Sequence, residues 1–152
     1  MHNGYINVDN RKMSKSLGNF FTVREVAKVY GYEPIRYLMI SSHYRSPINY
    51  SVEIIEQNKA ALERLYNCRD NMDFALGNAT EEAQPNDSEL LEKLEARKNQ
   101  FIEAMDDDLN TADGIAAIFE LVSEINLDVK DGASKSFAEE ALKRIKELTE
   151  EN

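Results

Sequence analysis

Hydrophobic residues in the second part of the chain recur every three to four positions, the spacing that places side chains on one face of an α-helix. The pattern runs from Ser51 to about Leu76, from Asp87 or Ser88 to about Met105, from Thr111 to Leu127, and from about Phe137 to Leu148. Short polar connections separate the four segments. The pattern therefore predicts four antiparallel helices that pack as a bundle.

The same spacing predicts which side chains face the interior of that bundle. In the third helix they are Ile115, Ile118, Phe119, Val122 and Ile125, and in the last helix they are Phe137, Ala141, Leu142, Ile145 and Leu148. Residues 77–87 and 130–134 combine glycine with polar residues, and we predict that both stretches are loops.

The first part of the chain has a different pattern. Residues 5–9 alternate and contain β-branched side chains, which predicts a short strand whose partners we expect to lie outside the chain. Thr22 and Glu25 fit a capping box, so a helix is predicted from about Val23 to Tyr30, with Gly31 ending it. A second helix is predicted from Glu33, because a proline follows at a first-turn position.

Composition agrees with a mainly α protein. Among 152 residues there are only three prolines and six glycines, and 42% of the residues are hydrophobic. The net charge is −10, but residues 1–50 hold seven Lys or Arg against three Asp or Glu, a net of +4. The other 102 residues hold eleven against 25, a net of −14. The charge argues against a general polyanion binder. It favours a protein whose basic first 50 residues face phosphate groups, while the remaining residues form an acidic domain.

A single cysteine, Cys68, cannot form an internal disulfide, and the chain opens without a charged leader that precedes an apolar core. No apolar run approaches the roughly 20 residues that span a bilayer. We therefore expect a cytoplasmic protein without a membrane role. Cys68 lies in a predicted helix, and we interpret it as a packed side chain rather than a nucleophile.

One stretch indicates chemistry, namely residues 12–20, which follow the predicted strand. Lys12 and Lys15 are three positions apart, with Ser14 and Ser16 between and beside them and a glycine shortly after. Ammonium and hydroxyl donors in a flexible segment suit phosphate oxygens, and the point charge of lysine can follow them as bonds break. The alternative is a solvated basic turn.

Lys12 to Ser16 spell KMSKS, the second signature of class I aminoacyl-tRNA synthetases. The continuation LGNFFTVREV resembles the cysteinyl-tRNA synthetase branch, as do SSHYRSPINYS at 41–51 and FIEAMDDDLNTADGIAAIFEL at 101–121. The resemblance covers essentially the whole chain. Residues 33–36 read EPIR where the helical domain of this family has DALR, so only the arginine agrees.

The resemblance implies a C-terminal fragment of a cysteine–tRNA ligase, with a KMSKS strand-loop-helix module at 1–48 and a DALR-type, tRNA-binding helical bundle at 49–152. It assigns Lys15 to the departing pyrophosphate of ATP, with Lys12, Met13, Ser14 and Ser16 supporting, and Mg²⁺ accompanies the ATP. The expected partners are ATP, tRNA(Cys) and a missing N-terminal catalytic half. The HIGH motif and the zinc ligands of the family are absent here, so we expect the fragment to be inactive alone. We also expect it to be a monomer.

Two other functions stay open at this point. The related ligase that joins cysteine to an amino sugar, in mycothiol biosynthesis, shares the catalytic core, and a non-catalytic helical interaction module would need no active lysine loop. His2, His43 and Arg45 could contact nucleotide or tRNA, or could serve a local structural role. The aspartates 106–108 invite a Mg²⁺ site, but adjacent side chains diverge, so we expect Asp108 or Asn110 to cap the following helix instead.

Overall fold

The computed structural model describes residues 2–78, 87–130 and 135–149, and these form three strands and six helices. The strands are β1 (Ile6–Val8), β2 (Arg11–Lys12) and β3 (Ile48–Tyr50), and the helices are α1 (Val23–Tyr30), α2 (Glu33–Ile40), α3 (Val52–Asn78), α4 (Asp87–Asp106), α5 (Thr111–Lys130) and α6 (Lys135–Thr149). The mainly α prediction is confirmed. The predicted loops fall mostly on residues 79–86 and 131–134, outside the described residues.

The chain divides into two compact units. The first comprises residues 1–63 together with 109–112, and the second comprises residues 64–108 and 113–152. Among the described residues, no helix is both long enough and apolar enough to cross a bilayer.

A three-stranded sheet organises the first unit, in the order β2-β1-β3. Strand β1 pairs antiparallel with β2, Val8 facing Arg11, and parallel with β3, Ile6 facing Ile48. The predicted strand is therefore present, but its partners come from later in this chain and not from outside it. A two-residue turn joins β1 to β2, and Asp9 and Asn10 both adopt positive φ there, which Asp and Asn tolerate better than most residues.

Helices α1 and α2 lie between β2 and β3 in the chain; α1 matches its predicted bounds, and α2 begins at the predicted residue, Glu33. The Thr22 hydroxyl accepts a hydrogen bond from the Glu25 amide, and the Glu25 carboxylate accepts one from the Thr22 amide. The Glu25 carboxylate also accepts a hydrogen bond from the Thr22 hydroxyl at 2.9 Å, and the bonds that it accepts from the Thr22 amide and hydroxyl hold the pKa of Glu25 below its ordinary value. The core of this unit consists of the buried side chains of Ile35, Leu38 and Ile55.

The second unit is a bundle built from α4, α5, α6 and the C-terminal part of α3. Its largest fully buried side chains are those of Cys68, Met72, Leu94, Leu121, Val122 and Ile125. From α6, the core receives Ala138, Ala141, Leu142, Ile145 and Leu148. Four of these five α6 residues were predicted to be buried, and the side chain of the fifth predicted residue, Phe137, lies outside the described part of the structure.

Ion pairs give the helix directions within this bundle. Arg97 in α4 bonds Glu120 and Glu124 in α5, at 2.5 and 2.7 Å, while further along α4 the ring of Phe101 lies beside Gly114, earlier in α5. The contacts therefore advance in opposite directions, so α4 and α5 are antiparallel.

A second set of ion pairs joins α4 to α6. Arg144 bonds Glu95 at 2.5 Å and Glu147 at 3.1 Å, and Lys98 bonds Glu147 at 2.8 Å. Because later residues of α4 meet later residues of α6, these helices run parallel, as expected for the first and third members of an up-down-up arrangement.

The buried stripe of α5 is rotated relative to its prediction. Val122 and Ile125 are fully buried as predicted, but Ile115, Ile118 and Phe119 are only half-buried. Gly114, Ala117 and Leu121 occupy the centre instead. Gly114 and Ala117 are small, so they permit close approach of a neighbouring helix. A prediction based on the spacing of large apolar side chains does not identify them.

We expect Leu121→Ala to lower the free energy of unfolding by about 2–5 kcal/mol, because Leu121 is fully buried and its truncation leaves a cavity. Leu127→Ala, on the same helix but 66% exposed, is the matched control and should change stability by less than about 0.5 kcal/mol. Urea unfolding followed by circular dichroism measures both. Equal effects of the two substitutions would show that the α5 core face is assigned incorrectly.

Candidate functional site

The lysine-rich loop joins β2 to the cap of α1, so both of its ends are held by regular structure. Lys12 is the last residue of β2, and the Met13 amide continues the pairing by donating to the Ile6 carbonyl at 3.0 Å. At the other end, Thr22 caps α1. The predicted site residues therefore run from the last residue of β2 into this loop, and Lys12, Lys15 and Ser16 are exposed while Met13 and Ser14 are half-buried.

The side chain of Asn19 closes this loop. Its Oδ1 accepts a hydrogen bond from the Ser14 amide at 2.9 Å, and its Nδ2 donates to the Lys12 carbonyl at 3.2 Å. One amide group thus joins the end of the loop to its beginning. We call this pair of hydrogen bonds the Asn19 bridge.

The two serines shape the turn between these ends. The Ser14 hydroxyl accepts from the Leu17 amide at 3.2 Å and lies 3.0 Å from the Ser16 hydroxyl. The Gly18 amide donates to the Lys15 carbonyl at 3.2 Å, and Gly18 adopts a φ of 69°, which glycine reaches without steric cost. Lys15 and Ser16 therefore stand at the tip of a hydrogen-bonded turn.

Both lysine side chains lie near aromatic rings. Lys12 Nζ is 4.0 Å from the centroid of the Tyr5 ring, and Lys15 Nζ is 5.4 Å from that of Phe20. Such cation–π contacts at exposed sites contribute about 0.5–1 kcal/mol each. They orient the ammonium groups while leaving them accessible to an incoming anion.

Several backbone amides of the loop already donate hydrogen bonds within the chain, and this limits which groups can bind an anion. The amides of Met13, Ser14, Leu17 and Gly18 all donate within the chain. They are therefore not available as the backbone cradle that glycine-rich phosphate loops provide. An anion at this loop would be bound mainly by the Lys12 and Lys15 ammonium groups and the serine hydroxyls.

The sequence analysis identified the lysines and serines but missed the roles of Asn19, Tyr5 and Phe20. The asparagine follows Gly18 directly, and asparagine near glycine is a common turn signal. That signal does not reveal that the Asn19 side chain bonds Ser14, five residues earlier, and Lys12, seven residues earlier. The aromatic contacts depend on the fold and leave no trace in the local pattern.

The segment beside β1 packs closely on residues 44–47. The Gly4 amide donates to the Tyr44 carbonyl at 2.7 Å, and a Cβ at Gly4 would overlap the Ser46 carbonyl. Only glycine fits at this crossing. His2, two residues earlier, is exposed.

His43 and Arg45 make contacts with their own neighbours. The His43 ring stacks on Tyr44 with the ring centroids 4.7 Å apart, and its Nδ1 accepts from the Arg45 amide at 3.3 Å. Arg45 Nε donates to the Tyr44 hydroxyl at 2.9 Å. These contacts favour the local structural interpretation of both residues.

The aspartate run lies where α4 ends. Asp108 and Leu109 both adopt positive φ, at 53° and 55°, and α5 begins at Thr111. Asn110 therefore occupies the cap position, which was one of the two predicted. Across residues 2–78, 87–130 and 135–149, no group of three or more metal-ligating side chains could hold an ion.

Cys68 is 1% exposed and belongs to the core of the second unit. Burial raises the pKa of its thiol to about 11. Since the thiolate is the nucleophile, a buried thiol with this pKa is chemically inert at neutral pH. The interpretation of Cys68 as a packing residue is consistent with this environment.

Comparison with known proteins confirms the resemblance found in the sequence. Residues 1–60 match the class I (C) tRNA synthetase catalytic domain, and residues 100–150 match the DALR domain. The cysteine–tRNA ligase of Clostridioides difficile (strain 630) is 49% identical over 150 residues, which cover 98% of this chain and 32% of that protein. The cysteine–tRNA ligase of Caldicellulosiruptor saccharolyticus is 46% identical over 147 residues, which cover 95% of this chain and 31% of that protein.

The chain thus spans about a third of the length of these relatives. Among solved structures, a chain of the LeuRS–tRNA–LeuAMS ternary complex of Agrobacterium radiobacter K84 matches with a TM-score of 0.78. The match has 23% sequence identity and covers 96% of this chain and 20% of that one. It supports the fold.

We expect Cys68 in the native protein to resist a thiol reagent at about pH 8, where a thiol with its ordinary pKa of about 8.5 would react readily. The reaction should be complete once urea unfolds the chain. Leu127→Cys provides an exposed thiol on α5 as a positive control and should react at once. Fast reaction of Cys68 in the folded wild-type chain would contradict the buried assignment.

Proposed function

Because the chain is homologous over nearly its whole length to a part of the cysteine–tRNA ligases, we propose that it supplies the pyrophosphate-binding loop and the helical domain of such an enzyme. The parent protein would activate cysteine with ATP and transfer it to tRNA(Cys). The observation on which this rests is the exposed KMSKS loop at residues 12–16, whose two lysines project from a turn with internally bonded amides.

The proposed reaction has two steps. The cysteine carboxylate attacks the α-phosphorus of ATP, the bond to pyrophosphate breaks, and cysteinyl-adenylate forms. The adenylate then loses AMP as the cysteinyl group passes to the tRNA. Negative charge builds on the pyrophosphate oxygens in the first step, and Lys15 would stabilise that charge as it develops.

The other residues of the loop would support Lys15. Lys12 would provide a second positive charge, and the Ser14 and Ser16 hydroxyls would provide hydrogen bonds to phosphate oxygens. Met13 is half-buried, and its amide ties the loop to β1, so its contribution would be to fix the first residue of the loop. These roles are assigned by similarity to the motif, and Lys12, Lys15 and Ser16 are in addition exposed.

The proposal includes the metal ions that the resemblance implies. Mg²⁺ would accompany ATP, and the family's zinc ligands are absent from this sequence. The described residues offer no cluster of metal-ligating side chains. The steps proposed for this chain use its own lysines.

We further propose a functional division at residue 48, with residues 1–48 serving the nucleotide and residues 49–152 the tRNA. The net charge of +4 on residues 1–50 is consistent with a phosphate-facing role for the first part. Cytoplasmic localisation and a monomeric state complete the proposal.

We expect the isolated chain to show no cysteine-dependent ATP–pyrophosphate exchange, because it spans about a third of its relatives. A chimera in which this chain replaces its matching segment in the Clostridioides difficile ligase should show exchange and should charge tRNA(Cys). In that chimera, Lys15→Ala should lower kcat for exchange by roughly 10²–10³-fold, with a smaller change in KM for ATP, because the lost interaction forms mainly in the transition state.

Lys28→Ala removes another exposed lysine, on α1, and is the matched control. It should leave the exchange rate close to that of the unsubstituted chimera. An unchanged kcat for Lys15→Ala would contradict the catalytic proposal and favour a helical interaction module. Exchange without charging of tRNA(Cys) would contradict the tRNA ligase assignment.

A further inference from the structure

We propose that Asn19 is a positioning residue for the lysine loop, and that its side chain holds Lys15 in the geometry that acts on the pyrophosphate. This inference rests on the function proposed above and extends it to a residue outside the KMSKS letters.

The Asn19 bridge lies at the start of the KMSKS motif. The side-chain amide of Asn19 uses both of its polar ends, accepting from the Ser14 amide at 2.9 Å and donating to the Lys12 carbonyl at 3.2 Å. Both partners are backbone groups of the motif. The bridge therefore fixes the path of the main chain on the N-terminal side of Lys15.

On the C-terminal side of Lys15, two further hydrogen bonds close the turn. The Gly18 amide donates to the Lys15 carbonyl, and the Leu17 amide donates to the Ser14 hydroxyl. Ser14 is thus held by Asn19 through its amide, and in turn it holds Leu17 through its hydroxyl. Loss of the bridge would release Ser14, and because Ser14 also holds Leu17, it would loosen the turn that presents Lys15.

The tip of the loop is exposed, so burial contributes little to holding Lys15 in place. Lys15, Ser16, Leu17 and Gly18 are exposed, and the cation–π contact of Lys15 Nζ with Phe20, 5.4 Å from the ring centroid, contributes only about 0.5–1 kcal/mol. In an exposed loop, a few hydrogen bonds decide how often the productive geometry is populated. Asn19 makes two of them.

A matched control lies in the same unit. Asn49 Oδ1 accepts from the Asn10 amide at 2.8 Å, a side-chain-to-backbone bond of the same kind, located at the β1–β2 turn. Asn49→Ala therefore removes a comparable hydrogen bond from the same small sheet without touching the lysine loop. It separates loss of loop positioning from general destabilisation of this unit.

The first experiment uses the 152-residue chain itself and measures amide solvent exchange by NMR. Asn19→Ala should raise the exchange rate of the Ser14 amide by about tenfold, the effect of losing one hydrogen bond of ordinary strength. Asn49→Ala should instead raise the rate of the Asn10 amide and leave Ser14 unchanged. An unchanged Ser14 rate in Asn19→Ala would overturn the bridge and the inference with it.

The second experiment uses the chimeric ligase described above and measures ATP–pyrophosphate exchange. We expect Asn19→Ala to lower kcat by about tenfold or more with little change in KM for ATP, while Asn49→Ala has a much smaller effect. A double-mutant cycle with Lys15→Ala then tests the route of action. If Asn19 acts through Lys15, adding Asn19→Ala to Lys15→Ala should lower kcat by less than about twofold.

The outcomes separate this inference from the proposed function. If Lys15→Ala leaves kcat unchanged, the catalytic proposal fails and the inference fails with it. If Lys15→Ala lowers kcat but Asn19→Ala does not, only the inference fails. Multiplicative losses in the double variant would also overturn it, because they would show that Asn19 acts independently of Lys15.

Discussion

Strand β1 forms hydrogen bonds on both of its edges, and the first unit depends on this pairing. With only three residues, the strand receives β2 on one side and β3 on the other, so it joins segments about 40 residues apart in sequence. A strand this short is marginal alone, because few ladder bonds offset the entropy of ordering it. Pairing on both edges, together with the fit of Gly4 against Ser46, fixes where the lysine loop begins and where the chain returns after α2.

The helices could be predicted from the sequence because their signals are local. The capping box at Thr22 and Glu25 gave the start of α1, and the proline after Glu33 gave that of α2. Strands β2 and β3 could not be predicted in the same way, because two or three residues are too few to show the alternation of polar and apolar side chains that marks a strand. The pairing of Ile6 with Ile48 is in addition set by contacts between residues that are distant in sequence. The stripe of α5 was misjudged because Gly114 and Ala117 are buried for their small size and not for their hydrophobicity.

The candidate site shows the same division between local and distant information. The lysines and serines were found because their residue types indicate phosphate chemistry wherever they lie. The Asn19 bridge was not found, since its two hydrogen bonds depend on how the loop folds back on itself. Because these and neighbouring bonds use the amides of Met13, Ser14, Leu17 and Gly18, the two long lysine side chains are the main groups that the loop offers to an anion. Such side chains suit a ligand whose charges move during the reaction.

The buried position of Cys68 has a practical consequence for studying this loop. The chain has one cysteine, and it lies in the core with its thiol protonated at neutral pH. Toward alkylating dyes and spin labels, the folded protein therefore behaves as a cysteine-free background. A single cysteine introduced at the exposed Leu17 would then be the unique attachment point for a fluorophore, and the response of the loop to added ATP could be measured without first removing the native thiol.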